Sequence, residues 1–214
     1  MILSMLDRQK DLDVYLVGGR TREDMDRWFS KDHFHLVTEH GYCFKEKDAD
    51  DWVVLTPEAD LSWKEQIIDA LELYAGMTPG SFVEEKTASL VWHYRGADPE
   101  FGSWKAHQLV SSLQEMLSNL PVEIHHGKKI VEIASAHANK GAAVLYFMTQ
   151  RRYEAVLCAG DDETDEAMFR VPDERILSAK IGSGETGAAF RCPSPKAFRA
   201  FLHQLLTLYA KEGS

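Results

Sequence analysis

Apolar residues recur at two different periods along this chain, and the switches between them outline the fold. Residues 13–17 (DVYLV) form a short apolar run that ends at Gly18-Gly19-Arg20, the pattern of a buried strand opening onto a turn. Thr21 with Asp24 starts a helix whose Met25, Trp28 and Phe29 share a face. Residues 35–41 (HLVTEHG) predict a second strand, and Ser62 with Glu65 predicts a capped helix with Trp63, Ile67, Ala70, Leu71 and Tyr74 as its apolar stripe. The middle differs in character. Residues 81–86 (SFVEEK) and 88–95 (ASLVWHYR) predict an antiparallel hairpin, and a helix is expected over 103–119, with Leu109, Val110, Leu113, Met116 and Leu117 inward. Residues 122–126 (VEIHH) and 129–134 (KIVEIA) predict two more strands.

Beyond residue 138 strand and helix alternate again. Lys140 opens a helix that runs to 150, and 154–159 (EAVLCA) is a strand ending at Gly160. A helix begins near Thr164, and 176–182 (ILSAKIG) is another strand. Ser194 as cap and Pro195 as first helical residue begin the last helix, with the stripe Phe198, Phe201, Leu202, Leu205 and Leu208. The expected architecture is α/β: a parallel, Rossmann-like core over 1–78 and 136–214, split by an α/β cap at 79–135 with one covered sheet face.

Composition narrows the function. With 44% apolar and 27% charged residues in 214, the chain can build a real core and falls outside the disordered and fibrous classes. Twenty-four basic against 34 acidic residues leave a net charge of −10, without the basic footprint of a nucleic-acid binder. No run reaches the ~18 apolar residues of a membrane-spanning helix, and Asp7 and Arg8 break the apolar start too early for a signal peptide. Cys43, Cys158 and Cys192 are odd in number and far apart, which points to a reducing, cytoplasmic setting. Cys158, inside a strand, reads as a small buried hydrophobe. His33-x-His35 and His125-His126 lack the neighbours of a zinc site.

The sharpest candidate for chemistry is residues 160–166 (GDDETDE), after a buried strand and thus where ligands bind in open α/β sheets. Asp161, Asp162, Glu163, Asp165 and Glu166 repel one another unless a cation lies among them, and hard oxygen ligands suit Mg²⁺. Asp161 and Asp165 stand four apart and converge if the turn begins a helix; an acidic, solvated helix N-terminus fits the spacing equally well. Lys140, at the head of a helix, is either a phosphate-neutralising charge or a solvated lysine.

GDDETDEAMF resembles the fourth motif of haloacid-dehalogenase-like phosphohydrolases, and NKGAA their third. VEEKTASLVWHYRGADPEFG closely resembles the cap segment of trehalose-6-phosphate phosphatases, and GGR at 18–20, EHG at 39–41 and GKKIVEI at 127–133 extend the match over nearly the whole chain. The resemblance implies a haloacid-dehalogenase-type core and Mg²⁺-dependent hydrolysis of trehalose 6-phosphate to trehalose and phosphate. It implies an aspartyl-phosphate intermediate on a DxDGT motif. It assigns Lys140 to the phosphate, Asp161 to catalysis and the metal, and Asp162 and Asp165 to the metal shell. Arg20, Glu84, Lys86, Arg95, Lys128 and Glu132 go to the substrate, and a glycosyltransferase (trehalose-6-phosphate synthase) domain is the expected partner.

Two departures stand out. DxDGT does not occur in the sequence; the resemblance places it on a strand ahead of 13–17. Asp11 and Asp13 form a D-x-D, but at the amino end of their strand, and read as ordinary loop charges. The family's Ser or Thr before Gly-Arg is Gly18 here, which removes a hydroxyl from the phosphate site. The alternative function is therefore an inactive, phosphatase-like module that binds a sugar phosphate or regulates a partner. In the cap, period two puts Glu84 and Lys86 on one face of a strand, His93 and Arg95 on one face of the next, and Lys128 and Glu132 on one face of a third. Such a face suits a polyhydroxyl ligand or a solvated set of cross-strand ion pairs. Trp92 and Tyr94 are expected in the core under the cap helix.

Overall fold

In chain order, the computed structural model, which describes residues 2–9, 11–29 and 33–212, begins with α1 (Ile2–Leu6), β1 (Tyr15–Val17), α2 (Arg22–Phe29), β2 (His35–Thr38), β3 (Cys43–Lys45) and β4 (Val53–Val54). It continues through α3 (Trp63–Met77), β5 (Phe82–Glu85), β6 (Ser89–His93), α4 (Pro99–Met116), β7 (Val122–Gly127) and β8 (Ile130–Ser135). Last come α5 (Lys140–Gln150), β9 (Val156–Gly160), α6 (Glu166–Phe169), β10 (Ile176–Ile181), β11 (Phe190–Cys192) and α7 (Pro195–Glu212). The chain divides into a core unit, Met1–Leu55 with Asn139–Ser214, and an inserted unit, Thr56–Ala138.

The core unit is α/β with parallel pairing, as expected. β1 runs parallel to β2, which continues antiparallel through β3 and β4; β9, β10 and β11 form a second, wholly parallel sheet. Ala143 and Phe147 of α5 pack on Val37, Tyr15, Val17 and Phe44, while Val144 of the same helix joins Cys158, Met168 and Phe169. The other face of β1–β2 is closed by Leu6 and by Met25 and Phe29 of α2, against Leu16, Phe34 and Leu36. Cys158 is buried, and burial pushes its thiol up to about 11, so it is inert.

The inserted unit is one antiparallel sheet, ordered β5-β6-β8-β7. Its core gathers Trp63, Ile67 and Leu71 of α3 and Ala106, Leu109 and Leu113 of α4 on Leu90, Trp92, Tyr94, Val131 and Ile133. Each such large side chain withdrawn from water contributes about 1.5–3 kcal/mol. Because α3 packs in this core, the unit starts at Thr56, ahead of the expected 79. Trp92 and Tyr94 are core residues, as anticipated.

Local chemistry explains where the element boundaries differ from those read in the sequence. Asp98 Oδ1 accepts from the amides of Glu100 and Phe101 at 3.1 and 2.9 Å, and Pro99 is the first helical residue, so α4 begins at 99 and not 103. Ser62 makes no side-chain cap; instead its amide donates to Asp60 Oδ1 at 2.9 Å. Thr21 caps α2, Asn139 caps α5 and Ser194 caps α7 through their side-chain oxygens. β2 stops at Thr38, because Glu39 and His40 adopt left-handed φ of 48° and 58° within a single 3₁₀ turn. On α7, Phe201, Leu205 and Leu208 are exposed, and Leu206 is buried. Met116 is exposed as well, the inner line of α4 running through 106, 109 and 113 to Leu117 at its C-cap.

Asp13, read as a loop charge, is the hub of a network where β1 and the approach to β9 begin. Its carboxylate accepts from Lys47 Nζ at 2.7 Å, Tyr153 Oη at 2.9 Å and Arg151 at 3.1 Å, and the Tyr15 and Tyr153 hydroxyls lie 2.8 Å apart. His35, fully buried and stacked on Tyr15, accepts the Lys47 amide at Nδ1, which leaves its Nε2–H to face Asp13 at 3.5 Å. Burial pushes the Asp13 carboxyl up, but Lys47, Tyr153 and Arg151 outweigh it and hold the group far below the usual carboxylate range. A depressed folded value means stabilisation that is complete above the unfolded value, about 4, and is lost as pH falls toward the folded one. Asp13→Asn is therefore expected to cost about 2–4 kcal/mol at pH 7. The gap from the parent should shrink steadily between pH 5 and pH 3. Urea midpoints across that range check this; a gap that stays constant contradicts it.

Candidate active site

Lys140 is the first residue of α5, where amide dipoles already present positive charge, and it is only 5% exposed. A cation there needs an anion. Asp165 supplies it, with Oδ1 2.7 Å from Lys140 Nζ and Oδ2 accepting the Asp162 amide at 2.9 Å. Gly160, the last residue of β9, makes the room: a Cβ there would fall on the Asp165 carboxyl group. Gly41 does the same for the helix start. With φ +113°, it lets the chain pass so close that a Cβ would sit 2.7 Å from the Asn139 carbonyl oxygen and 3.3 Å from Ala143 Cβ.

A second lysine, with no counterpart in the sequence reading, completes the turn. Lys180 of β10 is as buried as Lys140; its Nζ donates to the Asp162 carbonyl at 3.1 Å and lies 3.5 Å from Glu166 Oε1. Glu166 Oε2 accepts the Gly187 amide at 2.8 Å. Burial raises the Glu166 carboxyl, but the Gly187 amide, the Thr186 hydroxyl and Lys180 outweigh it and leave it below its usual value. Parity along 176–181 was the available signal: Lys180 shares the inward face of Ile176 and Ser178.

The buried acids of residues 160–166 thus find their cations in Lys140 and Lys180. Asp161, Asp162 and Glu163 are exposed. Among the described residues, no three His, Cys, Asp or Glu side chains converge to hold a metal ion. Asp165 has both oxygens engaged, so the donor set does not fit a Mg²⁺ shell by itself. Gly18 donates its amide to Val37 O and accepts from the His40 amide, both at 3.0 Å, and a Cβ on it would meet nothing nearer than 3.9 Å. Arg20 is exposed, over the Trp28 ring at 5.3 Å and 3.9 Å from Asp24.

In the inserted unit, register places Glu84, Val91 and Glu132 side by side on the face opposite the core. Glu132 is buried and accepts from Lys86 Nζ at 3.0 Å and Ser89 Oγ at 2.8 Å. Glu84 pairs with His93 at 2.7 Å, and Phe82 stacks flat on that histidine, centroids 4.6 Å apart. Ser89 and Phe82 are not among the residues read from the sequence; alternation with His93 along β6 and with Glu84 along β5 is the signal for them. Arg95 and Lys128 are exposed, beyond the ends of β6 and before β8.

Both the sequence and the fold have known relatives. The trehalose-phosphatase family model matches residues 1–191. The bifunctional trehalose-6-phosphate synthase/phosphatase of Thermoproteus tenax is 36% identical over 204 residues, 95% of this chain and 28% of that protein. Alpha,alpha-trehalose-phosphate synthase [UDP-forming] 6 of Arabidopsis thaliana is 39% identical, over 97% of this chain and 26% of its own length. The chain thus spans about a quarter of the length of these relatives. The C-terminal domain of trehalose-6-phosphate phosphatase from C. albicans superposes with a TM-score of 0.86 at 27% identity, covering 96% of this chain and 82% of that one.

Two glycines at strand ends are expected to respond in opposite ways to one added methyl group. Gly160→Ala drives Asp165 off Lys140 and should cost about 3 kcal/mol or more. Gly18→Ala, with open space around it, should cost under about 1 kcal/mol. Urea denaturation of both variants measures the contrast, and equal costs would contradict the placement of Asp165.

Proposed function

The chain belongs to the trehalose-phosphatase family, and we propose from its geometry that it is the phosphate- and sugar-recognising part of a trehalose 6-phosphate phosphatase, serving the release of trehalose and inorganic phosphate. The observation that carries this reading is the buried Lys140 at the amino end of α5, balanced by Asp165. A phosphoryl group there meets a fixed cation and the positive end of the helix dipole, the two features that bind anions at helix starts. In the inserted unit, Glu132, Lys86, Glu84 and His93, with the exposed Arg95 and Lys128, supply donors and acceptors for sugar hydroxyls, and the exposed Phe82 ring supplies an apolar face.

A trehalose-6-phosphate synthase domain is the partner we propose, as the source of the sugar phosphate. The names of the relatives above pair the two activities or carry the synthase one. Magnesium, which this family generally uses, would engage Asp161, whose carboxylate is exposed. With Asp165 held by Lys140, that shell is incomplete. Calorimetry should give a Mg²⁺ Kd of about 1 mM or weaker, abolished by Asp161→Asn; micromolar binding that survives the substitution overturns this.

One observation favours the second reading, a binding module without turnover: Gly18 stands where the family has a hydroxyl. The 214-residue chain alone is expected to release no phosphate from trehalose 6-phosphate above a metal-free blank. Binding separates the readings further. Gly18→Ser fits without strain and restores a hydrogen bond to a charged group, so inorganic phosphate should bind about 10-fold or more tightly. Glu132→Gln should weaken trehalose 6-phosphate about 10-fold and leave inorganic phosphate unchanged. If Glu132→Gln changes neither affinity while the fold is intact, the sugar assignment fails; if Gly18→Ser leaves phosphate unchanged, the phosphate assignment fails.

A further inference from the structure

The helical side of the inserted unit carries a groove that the proposed function does not use. Tyr74 of α3 and Trp104, His107, Gln108, Ser111 and Ser112 of α4 line it, around a volume of about 450 Å³. α3 and α4 cover the core side of the sheet, so the groove is separate from the face that carries Glu84 and Glu132. Trp104 is 53% exposed, and Phe101, three residues earlier on the same helix, is exposed as well. An indole left in water beside a concave polar surface is apolar area that a ligand can cover.

The aromatic part of the groove is held in place. Lys105 Nζ lies 5.0 Å from the Trp104 ring centre and 5.7 Å from those of Tyr74 and Phe101, so one ammonium ties rings of both helices together. Tyr74 also meets the buried Trp92 edge-on, with centroids 6.3 Å apart. The polar part is oriented by its own bonds. His107 Nδ1–H donates to Ser103 O at 2.7 Å, which leaves Nε2 as an acceptor, and the ring stands edge-on to His126 at 5.3 Å. Ser111 Oγ donates to His107 O at 3.0 Å and keeps its lone pairs for another donor. The exposed Gln108 amide and Ser112 hydroxyl each offer both a donor and an acceptor.

Charge decides the class of ligand. Lys105 already places a cation at the rings, so a second cation is repelled. Among the described residues no lysine, arginine or carboxylate lines the groove, and a net charge of −10 does not attract anions. What fits is a neutral molecule with one apolar face and a rim of hydroxyls. A pyranose ring is such a molecule: its axial C–H bonds make an apolar face, and its hydroxyls donate and accept around the edge. We propose that the α3–α4 groove is a carbohydrate site for a neutral pyranose. The sugar's apolar face stacks on the Trp104 indole beside Tyr74, and its hydroxyls bond to His107 Nε2, the Gln108 amide and the Ser111 and Ser112 hydroxyls. This inference stands on the helical face alone and does not rest on the proposed function.

The probes are maltose and lactose, neutral disaccharides with an α and a β linkage. Sorbitol serves as a polyol that has the hydroxyls without the ring face, and tetramethylammonium as a cation. Titrations of the whole chain are read by NMR at the His107 ring, and in the parent also at the Trp104 indole N–H. At least one disaccharide is expected to saturate these signals with a Kd of about 1–10 mM. Trp104→Ala should weaken it ~10-fold or more and Gln108→Ala ~3-fold or more, both at exposed positions where the fold is kept. The proposal is overturned if neither disaccharide shifts these signals, if sorbitol or tetramethylammonium binds there as tightly, or if Trp104→Ala binds like the parent. It is also overturned if sedimentation shows that a second copy of the chain covers the groove, in a self-association that Trp104→Ala abolishes.

Discussion

A lysine at the first position of a helix works against the peptide dipoles, and one cut off from water works against its own hydration as well. Lys140 meets both penalties and is retained because Asp165 lies 2.7 Å away. That ion pair joins the start of α5 to the turn that leaves β9, and other features of the core follow from it. Gly160 has no side chain because the carboxylate occupies that space, and the Asp162 amide closes the turn onto the same carboxylate. Gly41 takes a left-handed φ so that the chain after β2 can pass against Asn139, the cap of α5. Breaking such a pair from one side strands a buried charge, a loss of about 3–5 kcal/mol.

The opposite end of the same strands is held by a second charged cluster with different chemistry. Asp13 gathers two cations and a phenol, with a neutral histidine behind it, and links the entries of β1 and β9. The two sheets are therefore pinned at their amino ends by Asp13 and covered along one face by α5, with no strand pairing between them among the described residues. Charged groups gather at the carboxyl ends, where glycines and buried lysines make concentrated charge tolerable, the usual place for ligands in open α/β sheets.

Much of this was legible in residue order because the signals are local. The apolar runs at 13–17 and 154–159, the two-residue period of 88–95 and 129–134, and the Ser-Pro start of α7 each report on a few neighbouring residues, and each element formed. Period two pairs Glu84 with Lys86, His93 with Arg95 and Lys128 with Glu132 within their own segments, and the β5-β6-β8 register brings Glu84, His93 and Glu132 to one face. What could not be read depends on contacts distant in sequence. Asp13 is unremarkable until Lys47, Arg151 and Tyr153 arrive from other segments. Lys180 becomes part of the acidic turn only when β10 pairs with β9. Five acids in six residues suggested an external cation, whereas the fold brings two of its own. The short β3, β4 and β11 carry too few residues for a period to show, and the start of α4 was misplaced because Asp98 and Pro99 outweigh the apolar pattern.

The central claim, that Lys140 and Asp165 neutralise each other inside the core, is tested most directly by a double-mutant cycle on stability, with Lys140→Met, Asp165→Asn and the pair together under urea without divalent metal. Each single substitution leaves one buried group unmatched, so the expected double variant loses less than the two singles summed, by about 2 kcal/mol or more. Costs that add to within about 0.5 kcal/mol would mean that the two side chains do not depend on each other, and the account of the site built on them would be wrong.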